Sequence, residues 1–105
     1  MKEISDEKLE KYFNIAERAF TKAKDSKESV KLDALKSARE WFLDTVERYI
    51  EDAKHFRENN DYVNAFAALN YAHGWLDAGV KIGIFDVNDS NLFAGVEKKE
   101  NETSS

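Results

Sequence analysis

The sequence contains no cysteine and no proline, and only four glycines in 105 residues. Without cysteine, a disulfide framework, thiolate metal sites and thiol nucleophiles are excluded. Without proline, nothing in the chain forces a break in a long helix, and a loop-rich fold is disfavoured. Positive charge is outnumbered. Sixteen Lys and Arg stand against 21 Asp and Glu, a net charge of −5, which opposes non-specific binding to nucleic acid or to an anionic membrane. No apolar run approaches the roughly 20 residues of a membrane span, and Met1-Lys2-Glu3-Ile4-Ser5-Asp6-Glu7 lacks the apolar core of a signal peptide. A single domain is expected over residues 1–96, in a cytoplasmic protein, followed by a disordered polar tail over 97–105.

What is present is helical periodicity. Leu9, Phe13, Ala16, Phe20 and Ala23 recur at alternating spacings of four and three, with Tyr12, Ile15 and Ala19 widening the face, and Ser5 or Asp6 suits the N-cap. Asp25-Ser26-Lys27-Glu28-Ser29 breaks this helix, and the Asp25–Glu28 spacing of a capping box predicts that a second one starts there. Its stripe, Leu35, Ala38, Phe42, Thr45, Val46, Tyr49, Ala53 and Phe56, predicts a long helix to about Glu58. Asn59-Asn60 then suits a left-handed stop and Asp61 a new N-cap. In the third helix, Tyr62, Ala65, Phe66, Leu69, Ala72, His73, Leu76, Val80 and Gly83 share one face. Asn64, Ala68, Tyr71, Trp75, Ala78 and Ile82 lie opposite, and Asn70, Gly74, Asp77 and Lys81 fall between. Such a helix is expected to be buried on both sides, with Phe85, Leu92 and Phe93 of an irregular tail folding back over Tyr71 and Trp75. The fold class that follows is all-α, an antiparallel three-helix bundle with a long second helix and a folded-back C-terminal tail.

Chemistry is sparse. Asp33, Glu40, Asp44, Glu47 and Glu51 form an acidic stripe that reads as a solvated helix face. Asp52-Ala53-Lys54-His55 has the carboxylate–histidine spacing of di-iron bundles. The second copy those sites require is spoiled by Asn70 in Asn70-Tyr71-Ala72-His73, so no metal and no cofactor are expected. His73 lies one turn before Asp77, a pairing used in general-base chemistry, but no nucleophile shares the helix, and no catalytic residue is assigned. Asn70, His73, Asp77 and Lys81 are left as a polar sector, either fixing helix register or lining a ligand cleft. Tyr71, Trp75 and Ile82 are the candidate interaction residues, because aromatic groups on a surface of low charge dominate binding hot spots.

The segment from Tyr49 to Phe85 resembles a small archaeal family known as domain of unknown function 357. The resemblance rests on Tyr49, Asp52-Ala53, Phe56, Asp61-Tyr62, Ala65, Asn70-Tyr71-Ala72, Gly74-Trp75-Leu76-Asp77-Ala78-Gly79 and Gly83-Ile84-Phe85. It implies a three-helix bundle, an archaeal cytosolic source and no assigned activity. Ala53, Phe56, Asn60-Asp61-Tyr62, Ala65, Leu69 and Ala72 also look like one tetratricopeptide hairpin, but the chain has no second copy of that period. The Asp-Tyr hairpin is similar, too, to small bundles that pair with nucleotidyltransferases or act as ribonucleases. The closely spaced Arg and His of the ribonucleases are missing, since Arg48 and His55 stand seven apart.

Two functional expectations follow. One is a non-enzymatic interaction or scaffold module, binding a protein partner or a second copy of itself through Tyr71, Trp75 and Ile82. The other is a bundle that binds a small molecule or nucleotide, or a degenerate relative of the nuclease bundles, using Asn70, His73 and Asp77. Binding to membrane or nucleic acid is not expected.

Overall fold

The computed structural model describes residues 3–27 and 33–93, apart from the side chain of Ala34. Three helices run in antiparallel succession: α1 (Asp6–Asp25), α2 (Asp33–Glu58) and α3 (Tyr62–Lys81). The all-α three-helix bundle is as the sequence predicts. Residues 94–105, which include the polar tail, lie outside the described part of the chain.

Helix α1 starts at Ser5, whose hydroxyl accepts from the Lys8 amide at 3.1 Å, while Asp6 and Glu7 in the first turn and Lys22 and Lys24 in the last complement the helix dipole. Its predicted stripe is the face that is buried, with Leu9, Phe13, Ala16, Ala19 and Ala23 all inaccessible. Asp25 does not cap α2. It is the last residue of α1, and the C-cap is Ser26, whose hydroxyl donates to the Ala23 carbonyl at 2.7 Å. Glu28, its expected capping partner, lies outside the described residues. The α1 carbonyls here are satisfied instead by a residue the sequence pattern did not mark. The Arg39 guanidinium donates to the carbonyls of Ala23 (3.0 Å), Lys24 (2.8 Å) and Ser26, and to Ile84 (3.2 Å) beyond α3.

Both later helices stop in the same way. Asn60 takes a φ of 60°, the Asp61 amide donates to the Phe56 carbonyl at 2.8 Å, and the Asn60 amide donates to Arg57 at 3.0 Å. These two bonds closing over a left-handed residue form a Schellman motif. Gly83, at φ 89°, repeats it with Ile84 donating to Gly79 at 2.8 Å and Gly83 to Val80 at 3.2 Å. Between the stops, Asp61 caps α3 as predicted, its carboxylate accepting from the backbone and side-chain amides of Asn64.

After Gly83 the chain turns back along the bundle. Ile84, Phe85, Leu92 and Phe93 are all buried, each fully desolvated side chain contributing about 1.5–3 kcal/mol. The tail therefore folds back, but over a different side from the one expected. Asp89 is held by Lys22 of α1 at 3.0 Å, and Asn91 and Leu92 lie beside Ile15 of α1. Tyr71 stays 63% exposed. Burial of α3 on both sides is thus corrected. Helix α2, α1 and the returning tail occupy its inner flanks, and among the described residues no fourth element reaches its outer face.

Two glycines of α3 give opposite expectations. A Cβ on Gly79 would lie 2.4 and 2.6 Å from ring carbons of Phe85, which is fully enclosed and has nowhere to move. Nothing lies within 4 Å of the corresponding position on Gly74. Gly79→Ala is expected to lower stability by about 1–3 kcal/mol, whereas Gly74→Ala raises it by up to about 1 kcal/mol. Urea denaturation of dilute protein, followed by circular dichroism, measures both.

Candidate functional site

The three proposed interaction residues fall on one side of the bundle, in the company of aromatic groups from α2. Trp75 is half-buried, its ring meeting Trp41 (centroids 5.4 Å apart) and Phe42 (5.0 Å) edge to face. Tyr71 stacks on Tyr49 at 5.5 Å with the rings 18° from parallel. Trp41, Tyr71 and Ile82 remain 60%, 63% and 54% exposed. Trp75 is therefore the wedge of this surface, and Trp41 supplies the exposed indole. Sequence reasoning missed Trp41 because it sits one place off the α2 core stripe. Its spacing of four and eight from Thr45 and Tyr49 is the signal that marks this edge of α2.

The outer face of α3 continues that surface. Val63, Asn64, Ala67, Asn70, Tyr71, Gly74, Ala78 and Lys81 are its exposed residues, together with the cap Ile82, and Lys81 is the one that carries a formal charge. On α2, by contrast, the acidic stripe Asp33, Glu40, Asp44, Glu47 and Glu51 is exposed, with Asp44 paired to Arg48 at 3.1 Å and Glu51 to Lys54 at 3.6 Å. Asp52 and His55 are exposed as well. No group of three or more metal-ligating side chains occurs among the described residues.

The polar sector is split by the structure. His73 and Asp77 are half-buried on the flank of α3 facing α1, Nε2 to Oδ2 being 3.7 Å, a salt bridge only when the imidazole is protonated. With Asn70 and Gly74 they line a cleft of about 350 Å³, closed by Tyr12, Ile15 and Ala16 of α1, Leu69 of α3 and Asn91 of the tail. Lys81 lies outside this cleft, at the end of the exposed outer face. Asn91 is the polar group that sequence reasoning did not connect with this site. A wider groove of about 890 Å³ runs along α1 between Asp6, Glu10, Lys11, Arg18 and Leu92, shares Ile15 and Asn91 with the first, and is rimmed by charges of both signs.

With helix hairpin, glycine exit and aromatic packing in place, the comparison with known families is direct. The family model described as Protein of unknown function (DUF357) matches residues 11–85, most of α1, all of α2 and α3, and the turn to Phe85. The chain belongs to that family. No curated protein and no solved structure matches it. The DUF357 match ends at the residue that packs on Gly79, so Asn91, Leu92 and Phe93 lie beyond it. No helix among the described residues is long and apolar enough to cross a membrane.

The tail that completes the cleft is fastened by a titratable group. The Lys22 ammonium donates to the Asp89 carboxylate, and with the Asn91 amide (3.0 Å) it holds Asp89 below its ordinary value of 3.8. A carboxylate depressed in the folded state stabilises it above the unfolded pKa, and this contribution disappears as pH falls through the folded value. The protection factors of the Leu92 and Phe93 amides, which donate to the Asp89 carbonyl, are expected to fall below about pH 3.8 before the helices open.

Proposed function

We propose that this DUF357 protein is a small helical interaction module working in the cytoplasm, with the outer α2–α3 face as its docking surface. The observation that supports it is the exposed face of α3. In a protein with 35% charged residues, that face carries Lys81 as its single formal charge and presents exposed Tyr71 and Ile82, with Trp41 exposed on α2 against Trp75. Exposed apolar surface of this kind is what partner proteins bury, and aromatic anchors supply much of the resulting affinity. No reaction is assigned to this face.

A photo-crosslinking amino acid placed at Tyr71, with a control at exposed Lys11 on α1, tests the reading in the producing cell. A discrete adduct from position 71 alone is expected. If both positions give none, or both give the same mixture, the α2–α3 face is not a docking surface.

The cleft beside His73 supports a second reading, the binding of a small molecule. No Lys or Arg lines it, so a phosphate beside Asp77 has only His73 to offset the charge, and an uncharged heterocycle suits it better than a nucleotide. Thermal melting with adenosine, against adenosine monophosphate as control, separates these ligands. The cleft reading expects a stabilising shift with the nucleoside that is lost in His73→Ala. No shift with either compound removes nucleosides as its ligands.

A further inference from the structure

The proposed docking face has an internal pattern that identifies its occupant. Asn64, Ala67, Tyr71, Gly74, Ala78 and Lys81 follow one another at spacings of three, four, three, four and three, and all are exposed. This is the a/d spacing of a helix that packs along another helix over several turns. The stripe is also complementary to itself when reversed. In an antiparallel pair with position numbers summing to 145, Tyr71 meets Gly74, Ala67 meets Ala78, and Asn64 meets Lys81 of the other helix.

Each of these juxtapositions is favourable on physical grounds. Gly74 is exposed and nothing lies within 4 Å of a Cβ there, so the Tyr71 ring of a second copy can lie against the helix at that point without displacing a side chain. Ala67 against Ala78 lets the backbones approach closely at both ends. Lys81, the one charge of the stripe, arrives at the N-terminus of the opposite α3, where Asp61 caps the helix and holds Asn64 through both carboxylate oxygens. The Asp61 carboxylate offsets the positive end of the helix dipole that Lys81 meets there, and the two antiparallel dipoles attract each other. A twofold axis between the two helices repeats every contact, as closed dimers require.

We infer that the occupant of the outer α3 face is a second copy of this chain, bound antiparallel with Tyr71 seated over Gly74 of its partner. This inference rests on the docking reading above and names the partner for it.

The experiment uses the full chain, whose lack of cysteine makes cross-linking specific. Sedimentation equilibrium of the wild type is expected to rise toward twice the monomer mass with concentration. Tyr71→Glu is expected to stay monomeric with unchanged helical circular dichroism. Under oxidation, the Ala67→Cys/Ala78→Cys double variant is expected to form a disulfide-linked dimer, and each single variant none. In the inferred register a single cysteine lies eleven residues along the helix from its own copy, roughly 16 Å at 1.5 Å per residue, beyond disulfide reach.

Dimers linked by either single variant would indicate a parallel pair and overturn the inference. A wild type that stays monomeric at every concentration would also overturn it. In that case an adduct of another mass from the crosslinker at position 71 leaves the docking reading standing, whereas no adduct at all removes both.

Discussion

Helix α3 is apolar on almost every side, and the remainder of the molecule is arranged around that constraint. Over twenty residues its only formal charges are Asp77 and Lys81. A helix of this kind is unstable in water without cover, because propensity alone does not hold twenty residues together. Helix α2 takes one flank with Phe42, Val46, Tyr49 and Ala53. Helix α1 takes the next with Tyr12, Phe13 and Ala16, and the segment from Ile84 to Phe93 closes the groove beside it. The charged residues are displaced to α1 and α2, whose outer faces form the solvated surface.

Three chain segments meet at Arg39. Its half-buried guanidinium binds carbonyls at the end of α1 and the Ile84 carbonyl after α3, and lies 5.4 Å from the Phe85 ring. A guanidinium has five donors in a fixed fork, so one residue of α2 satisfies acceptors from both neighbours at once. The same corner contains Gly79, against which Phe85 is pressed. The Gly-Trp-Leu-Asp-Ala-Gly motif therefore has mixed roles: Trp75 anchors the α2 side, Asp77 faces the cleft, and Gly79 admits the returning chain.

Much of this was legible in the sequence, for identifiable reasons. The periodicities of α1 and α2 are one-sided and strong, so their buried faces follow from spacing alone. Asn60 and Asp61 announce the α2–α3 turn because left-handed backbone and N-capping each favour few residue types. The Asp25 cap was misassigned because a capping-box spacing is short and Asp25 is equally at home in a last helical turn. The covering of α3 was misjudged for a different reason. Two apolar faces imply two covers, but a sequence does not say whether both belong to the same chain. Arg39 was invisible because a clasp between carbonyls distant in sequence has no local signature, and Asn91 joined the cleft only through the path of the tail.

Among the described residues the outer face of α3 is uncovered, and the cleft on its α1 flank meets it at Asn70 and Gly74. The most direct test is paramagnetic attenuation of side-chain signals by a soluble gadolinium chelate, read at Ala67, Tyr71 and Ala78 over a range of protein concentrations. Shielding of these residues that grows with concentration, or on adding a cellular partner, is the expected result. Full attenuation under every condition would contradict a docking role. Shielding that is complete even at high dilution would show that the chain itself covers the face.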